Sequence, residues 1–240
     1  MTTAIILAGG MGTRLRSAVP DIPKPMAPIR NRPFLEHQMD YWLAQGITDF
    51  IISVGYRYDI ITGHFGDNYK GVPVSYAVEE TPLGTGGGFL LATEKLKSNA
   101  PFLTLNGDTF FEANLPEFID FHKKNNSDWT FALTRSNEVG RYMGMSVAED
   151  GKILSLKSGT AQIGRFINSG AYLVNPDILQ QFKKAVGSKL SLEDDIFPRL
   201  IADNAKIYGI EFTGNFIDIG VPEDYFRADK ILPNHERDIL

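Results

Sequence analysis

The segment Leu7-Ala8-Gly9-Gly10-Met11-Gly12-Thr13-Arg14-Leu15 joins an apolar run to three glycines and a cation, and Lys24-Pro25 follows ten residues after Arg14. Glycine at three of four positions lets backbone N–H groups approach a phosphate or base, and two cations can neutralise a polyphosphate. Neither familiar glycine loop fits. A P-loop needs Gly-Lys-Ser/Thr, whereas Gly12 precedes Thr13-Arg14, and a dinucleotide fingerprint from Gly10 would need glycine where Leu15 stands. Three glycines alone favour a surface turn; strand, glycines and both cations together point to a nucleotide site.

Two aspartates stand beyond apolar runs: Asp108 after Phe102-Leu103-Thr104-Leu105, and Asp218 after Phe216-Ile217. A carboxylate at a strand's carboxyl end can hold Mg²⁺ against a phosphate oxygen, and Mg²⁺ takes only one or two protein carboxylates beside its waters. Aspartate also begins turns, so by type alone each residue is as readily a turn former as a ligand. Other chemistries lack their residues. There is no cysteine, hence no disulfide, thiolate zinc site or thiol nucleophile, and no Gly-x-Ser-x-Gly elbow. His37, His64, His122 and His235 show no metal-ligand spacing and read as surface or boundary residues. Tyr56, Tyr58, Tyr142 and Phe166 read as packing residues, as does Phe110-Phe111, which could also wall a sugar pocket.

The elements that would position these residues alternate in the first half. Ala4 to Ala8, Phe50 to Val54, Val74 to Val78 and Phe102 to Leu105 read as strands. Phe34 to Gln45, with Leu35, Met39, Trp42 and Leu43 on one face, and Phe89 to Lys97 read as helices. This order predicts an α/β fold, a Rossmann-like, mainly parallel mixed sheet with helices on both faces and ligands beyond the strands' carboxyl ends. The second half has strand-like runs at Thr130 to Leu133, Met143 to Val147, Ile153 to Leu156 and Ala171 to Val174, and no long helix before Pro176 to Lys184. It reads as a sheet extension or a subdomain covering the cleft. Ser191 is a plausible N-cap for an acidic helix start at Leu192-Glu193-Asp194-Asp195, and Tyr208 to Phe212 and Phe216 to Ile219 read as late strands.

The 240 residues are 43% hydrophobic and 22% charged, as in a folded domain, and no linker or repeat divides them. One domain over 1–240 is expected, with a nucleotide-binding half over about 1–110 and a sugar-binding half over about 111–240. The formal charge of −5 with no basic cluster excludes a nucleic-acid polymer as the expected partner. The N-terminal apolar run is too short for a signal peptide or membrane span, so a cytoplasmic protein is expected.

The glycine loop and Lys24-Pro25 resemble the GGxGTRL and KP signature of the sugar-1-phosphate nucleotidyltransferases. The resemblance continues in order through Glu79-Glu80-Thr81-Pro82-Leu83-Gly84-Thr85-Gly86-Gly87, Asn106-Gly107-Asp108, Asn168-Ser169-Gly170, Leu192-Glu193-Asp194-Asp195 and Asp218-Ile219-Gly220-Val221-Pro222. Within that family Ile22 to Pro28, Pro82 to Gly88 and Asp218 to Pro222 are most similar to the D-glycero-α-D-manno-heptose 1-phosphate guanylyltransferases. The resemblance implies a GT-A-like architecture and transfer of a nucleoside monophosphate, GMP from GTP, to a sugar 1-phosphate with release of pyrophosphate. It implies Arg14 on the β- and γ-phosphates, Lys24 on the α-phosphate, and Mg²⁺ on Asp108 and Asp218. Leu7, Gly9, Gly10, Gly12, Thr13, Glu79, Pro82, Gly84, Thr85, Asn106 and Gly107 would complete the nucleotide site. Asn168, Gly170 and Glu193 would hold the sugar, although dipole compensation at a helix start also accounts for Glu193. Relatives use a lysine of a Glu-Lys pair for the sugar phosphate; that pair is missing here, and Lys157 is the nearest substitute. Two alternatives stay open: a UTP- or dTTP-dependent hexose 1-phosphate enzyme, and a non-catalytic sugar-nucleotide sensor.

Overall fold

The computed structural model describes residues 2–12, 14–15, 18–157 and 159–233. Strand β1 (Thr2–Ala8) places Ala4, Ile6 and Ala8 in one apolar cluster and Ile5 in another, the period-two pattern of a strand buried on both faces. The chain continues through the short pair β2 (Pro28–Ile29) and β3 (Arg32–Pro33), helix α1 (Phe34–Ala44), β4 (Ile47–Val54), α2 (Tyr58–Phe65), β5 (Asn68–Tyr69) and β6 (Val72–Val78). Helix α3 (Gly84–Thr93), β7 (Phe102–Asn106), β8 (Thr109–Phe111) and α4 (Leu115–Lys124) follow. The remainder is β9 (Trp129–Arg135), β10 (Gly144–Val147), β11 (Ile153–Lys157), β12 (Phe166–Val174), α5 (Phe197–Ala202), β13 (Ile207–Glu211), β14 (Phe216–Asp218) and α6 (Pro222–Ile231).

Strands β6, β4, β1 and β7 lie side by side in parallel, so the chain steps outward from β1 to β4 and β6 and then crosses back to lay β7 on β1's other side. Such a reversal opens a crevice at the carboxyl ends of β1 and β7. Strand β12 continues the sheet antiparallel to β7, β9 pairs with β12, β13 runs parallel to β9, and β10 and β11 form the far edge. The second half therefore extends one ten-stranded mixed sheet. Helices α1, α2 and α4 cover one face through Leu35, Met39, Trp42, Ile61, Phe65 and Phe118; α3 and α5 cover the other around Trp129, Phe131, Tyr172 and Phe197. A third cluster joins Phe34, Phe110, Ile217, Ile219 and Ala228 beneath the antiparallel ribbon of β8 and β14. Phe110 and Phe111 are core residues.

Several elements differ from the sequence reading. Helix α3 begins at Gly84 and ends at Thr93, instead of spanning Phe89 to Lys97, because the glycines gain more from close packing than they lose in helix propensity. Helix α4 precedes residue 176: Asn114 accepts the Glu117 N–H as its cap, and Leu115, Phe118 and His122 form its buried face. Pro176–Ala185 is a 3₁₀ coil with Leu179 and Phe182, three apart, facing the core. Ser191 does cap its segment, accepting from the N–H groups of Glu193 and Asp194, but the first turn, Leu192–Ile196, is a π turn.

His37 and His122 are buried rather than superficial, with ring nitrogens bonded to the Ile29 carbonyl at 3.0 Å and the Thr130 hydroxyl at 2.7 Å. Burial lowers His122 to about 4. Tyr58 is exposed, at the start of α2. His235 lies outside the described residues.

Candidate active site

A cleft of about 580 Å³ opens at the carboxyl ends of β1 and β7. Leu7, Gly9, Gly10, Gly12 and Arg14 line it from the β1 side, with Lys24 behind them, and Asn106, Gly107 and Asp108 line it from β7. Glu79, Pro82, Gly84 and Thr85 contribute the approach to α3, and Glu193 and Asp218 reach it from the second half. Thr13 lies outside the described residues.

Gly12 has φ +61°, and a Cβ there would stand 2.8 Å from Lys24 Cγ, so the loop can close over the lysine stem only with glycine. The Lys24 ammonium donates to Asp108 Oδ2 at 2.9 Å. Asp108 sits on the turn between β7 and β8, which Gln38 of α1 brackets by donating from Nε2 to the carbonyls of Asn106 (2.9 Å) and Thr109 (2.6 Å). The ribbon pairs Asp218 with Thr109, and Ile219 N–H donates to the Asp108 carbonyl at 3.0 Å. Two carboxylates distant in sequence thus become neighbours. Burial raises the pKa of Asp218, and the Asp108 charge adds to the rise; the Gly220 N–H, Arg141 and Lys24 act in the opposite direction. A like-charged, partly desolvated pair of hard oxygen donors suits a divalent cation that keeps waters or phosphate oxygens as its other ligands. Among the described residues there is no cluster of three or more His, Cys, Asp or Glu side chains that could hold a metal ion.

Glu79 is held in place: Oε1 accepts the Ser53 hydroxyl at 3.2 Å and Oε2 accepts the Leu83 N–H at 2.9 Å. A Cβ on Gly9 would fall 2.1 Å from Oε1, so the first glycine admits this carboxylate. Its neighbour Glu80 is exposed and outside the cleft lining. Beyond it, Gly86 and Gly87 N–H groups both donate to the Leu190 carbonyl, at 2.9 and 3.1 Å, and Leu190 N–H donates back to Leu83. This contact carries Lys189 into the lining. Glu193 Oε2 accepts from the hydroxyls of Thr85 (2.8 Å) and Ser191 (3.1 Å), which orients it across the same seam.

The remaining residues expected at the sugar stand outside the lining. Asn168 donates to the Tyr172 hydroxyl at 2.8 Å and accepts the Gly170 N–H at 2.9 Å. Gly170 lies against the back of the Asp108 turn, where a Cβ would be 2.7 Å from Thr109 Oγ1 and 2.8 Å from Asn106 Nδ2. Lys157 is exposed at the end of β11, on the sheet's edge. Sequence reasoning missed Gln38, Arg141 and Lys189. Lys189 had a signal, its place just before the Ser191 to Asp195 segment; Gln38 and Arg141 act through contacts distant in sequence and had none.

Residues 3–235 match the model of the nucleotidyl transferase family. A D-glycero-alpha-D-manno-heptose 1-phosphate guanylyltransferase of Campylobacter jejuni is 40% identical over 93% of this chain and 96% of its own length. One of Aneurinibacillus thermoaerophilus is 38% identical over 97% and 99%. Among solved structures, HddC from Yersinia pseudotuberculosis in complex with GMP-PN superposes with a TM-score of 0.83 at 34% identity, covering 96% of this chain and 99% of HddC. Near-complete coverage on both sides, together with a glycine-lined cleft at the sheet's reversal, places the chain in the nucleotidyl transferase family.

Proposed function

We propose that this chain transfers GMP from GTP to D-glycero-α-D-manno-heptose 1-phosphate, forming GDP-heptose and pyrophosphate. The observation carrying this reading is the 40% identity, over nearly the whole chain, to an enzyme named for that reaction. The cleft supports it chemically. A phosphate monoester with a second pKa near about 6 is largely dianionic at neutral pH, so the attacking oxygen needs no general base. The barrier is bringing two polyanions together, and catalysis is positioning and charge neutralisation.

Asp108 and Asp218 would hold Mg²⁺, which when bound neutralises charge on the phosphoryl oxygens. Lys24, within one hydrogen bond of Asp108, meets the α-phosphate, while exposed Arg14 takes the β- and γ-phosphates. Gly9, Gly10 and Gly12, with Leu7, Asn106 and Gly107, let the nucleotide lie against backbone. Pro82, Gly84 and Thr85 border the nucleoside, and Glu193 accepts from sugar hydroxyls. Asn168 and Gly170 act from behind the Asp108 turn. Lys189, inside the cleft, is a better partner for a substrate phosphate than Lys157.

Glu79 accounts for the base. Guanine presents N1–H and an exocyclic amine side by side, which a carboxylate accepts together, whereas uracil and thymine offer one N–H between two carbonyls. Each Glu79 oxygen already takes one protein donor and keeps a lone pair for the base. GDP-heptose is an activated glycosyl donor, so glycosyl transfer into a surface polysaccharide is the class of reaction that consumes it, with synthesis in the cytoplasm. Pyrophosphate release from a panel of nucleoside triphosphates and sugar 1-phosphates, with and without Mg²⁺, tests the reading. GTP with the heptose phosphate is expected to lead, and Glu79→Gln to erode the GTP preference by about 1–3 kcal/mol. Faster turnover with UTP or dTTP would favour a hexose enzyme, and no turnover with any pair would favour a sensor.

A further inference from the structure

Arg141 lies in the connection between β9 and β10, outside the cleft lining, with its side chain 16% exposed. Its guanidinium is bonded in three directions. Nη2 donates to the Asp218 backbone carbonyl at 3.0 Å and stands 3.5 Å from Asp218 Oδ2. Nη1 pairs with Asp224 of α6 and lies 3.3 Å from Glu138 Oε1. The guanidinium carbon rests 4.9 Å from the Tyr142 ring centroid. Asp224 is itself buried, and its Oδ1 accepts from Arg227 at 2.8 Å.

A cation placed for stability alone could meet any nearby carboxylate. Arg141 instead engages both the backbone and the side chain of one residue, and its planar fork, which lysine lacks, lets it do so while keeping Asp224. Asp218 ends a three-residue strand and pairs with Thr109, so the ribbon fixes its backbone from one side only; its Oδ1 accepts the Gly220 N–H at 2.6 Å, which leaves Oδ2 facing Arg141. The Asp108 turn, by contrast, is bracketed by Gln38 and paired with Lys24.

We infer that Arg141 is the positioning residue of Asp218: it holds that carboxylate in register with Asp108 for a divalent cation, and α6 supports it through Asp224. This rests on the metal-site reading above. Partners that orient a metal ligand typically contribute about 10–100-fold to metal affinity, and the loss should show as weaker metal binding before it shows in turnover.

Mn²⁺ binding to the whole protein, followed by electron paramagnetic resonance at fixed GTP with no sugar phosphate and referenced to the Mn²⁺–GTP signal without protein, separates the possibilities. Wild type is expected to bind, and Asp218→Asn to bind far more weakly. Arg141→Met should raise the Mn²⁺ dissociation constant about tenfold, while kcat at saturating Mg²⁺ recovers most of its value. Arg141→Lys, which keeps the charge and loses the fork, should raise it about threefold. Wild-type Mn²⁺ affinity in folded Arg141→Met would overturn the inference and leave Arg141 a stability residue; should that variant not fold, wild-type affinity in Arg141→Lys overturns it instead. No Mn²⁺ binding by wild type would overturn the metal site itself, and the inference with it.

Discussion

Two glycine-rich segments border the cleft and do opposite things. Gly9 to Gly12 forms an open loop after β1, in which a Cβ on Gly10 would meet nothing within 4 Å. Gly84 to Gly88 forms the first half of α3, in which a Cβ on Gly87 would sit 2.4 Å from the Ser188 carbonyl and one on Gly86 2.9 Å from the Ser191 backbone. In the first segment Gly9 and Gly12 make room for the side chains of Glu79 and Lys24 and Gly10 faces the open cleft; in the second Gly84, Gly86 and Gly87 make room for the backbone of residues 188–191, which brings Lys189 and Glu193 to the cleft. Glycine content alone does not distinguish a cradle from a packing seam. What lies opposite each missing Cβ does.

The severest test of this contrast concerns the carboxylates beside the first segment. Asp108→Asn and Asp218→Asn should each cost about a hundredfold or more in kcat with little change in melting temperature; near-normal Mg²⁺-dependent kinetics in either variant would remove that residue from the metal site. Gly87→Ala should act on folding, lowering stability by about 1–3 kcal/mol from overpacking, seen as a urea midpoint shift with unchanged KM in the remaining folded enzyme. Its mirror is Gly10→Ala, expected to leave stability within about 0.5 kcal/mol and to raise the GTP KM about tenfold, or about 1.4 kcal/mol, as a methyl enters the cleft. Equal effects of the two alanines on stability would erase the distinction. The smallest effect is expected from Lys189→Ala, a rise of about threefold, under 1 kcal/mol, in one substrate's KM; Lys157→Ala should change neither KM, and the reverse result would return the phosphate role to Lys157.

The first half of the fold was legible because its strands are buried on both faces and read as unbroken apolar runs, as at Ile5-Ile6 and Phe50-Ile51-Ile52. The glycine loop and both aspartates stood out because each follows such a run, and Lys24 because it stands with Pro25 ten residues after Arg14. Helix α3 was misplaced because propensity counts against glycine, while the packing that repays it comes from residues 188–191. Helix α4 was overlooked although Asn114 with Glu117 marks its start. Gln38 and Arg141 were invisible for a different reason: one is an ordinary polar residue in an amphipathic helix, the other a cation in a loop, and only the folded chain shows that they grip the two carboxylate-bearing turns. His37 and His122 were misjudged because their burial depends on partners, Ile29 and Thr130, that spacing does not reveal.

A chain emerging from the ribosome presents β1, β4, β6 and β7 long before Phe216–Asp218, and N-terminal segments organise first during synthesis. The ribbon of β8 and β14 is therefore among the last parts to close, and until it does Phe110 lacks Ile217 and Ile219 as neighbours and Asp108 stands without Asp218. The nascent protein can shape the glycine loop early but assembles its carboxylate pair only after Phe216–Asp218 has emerged.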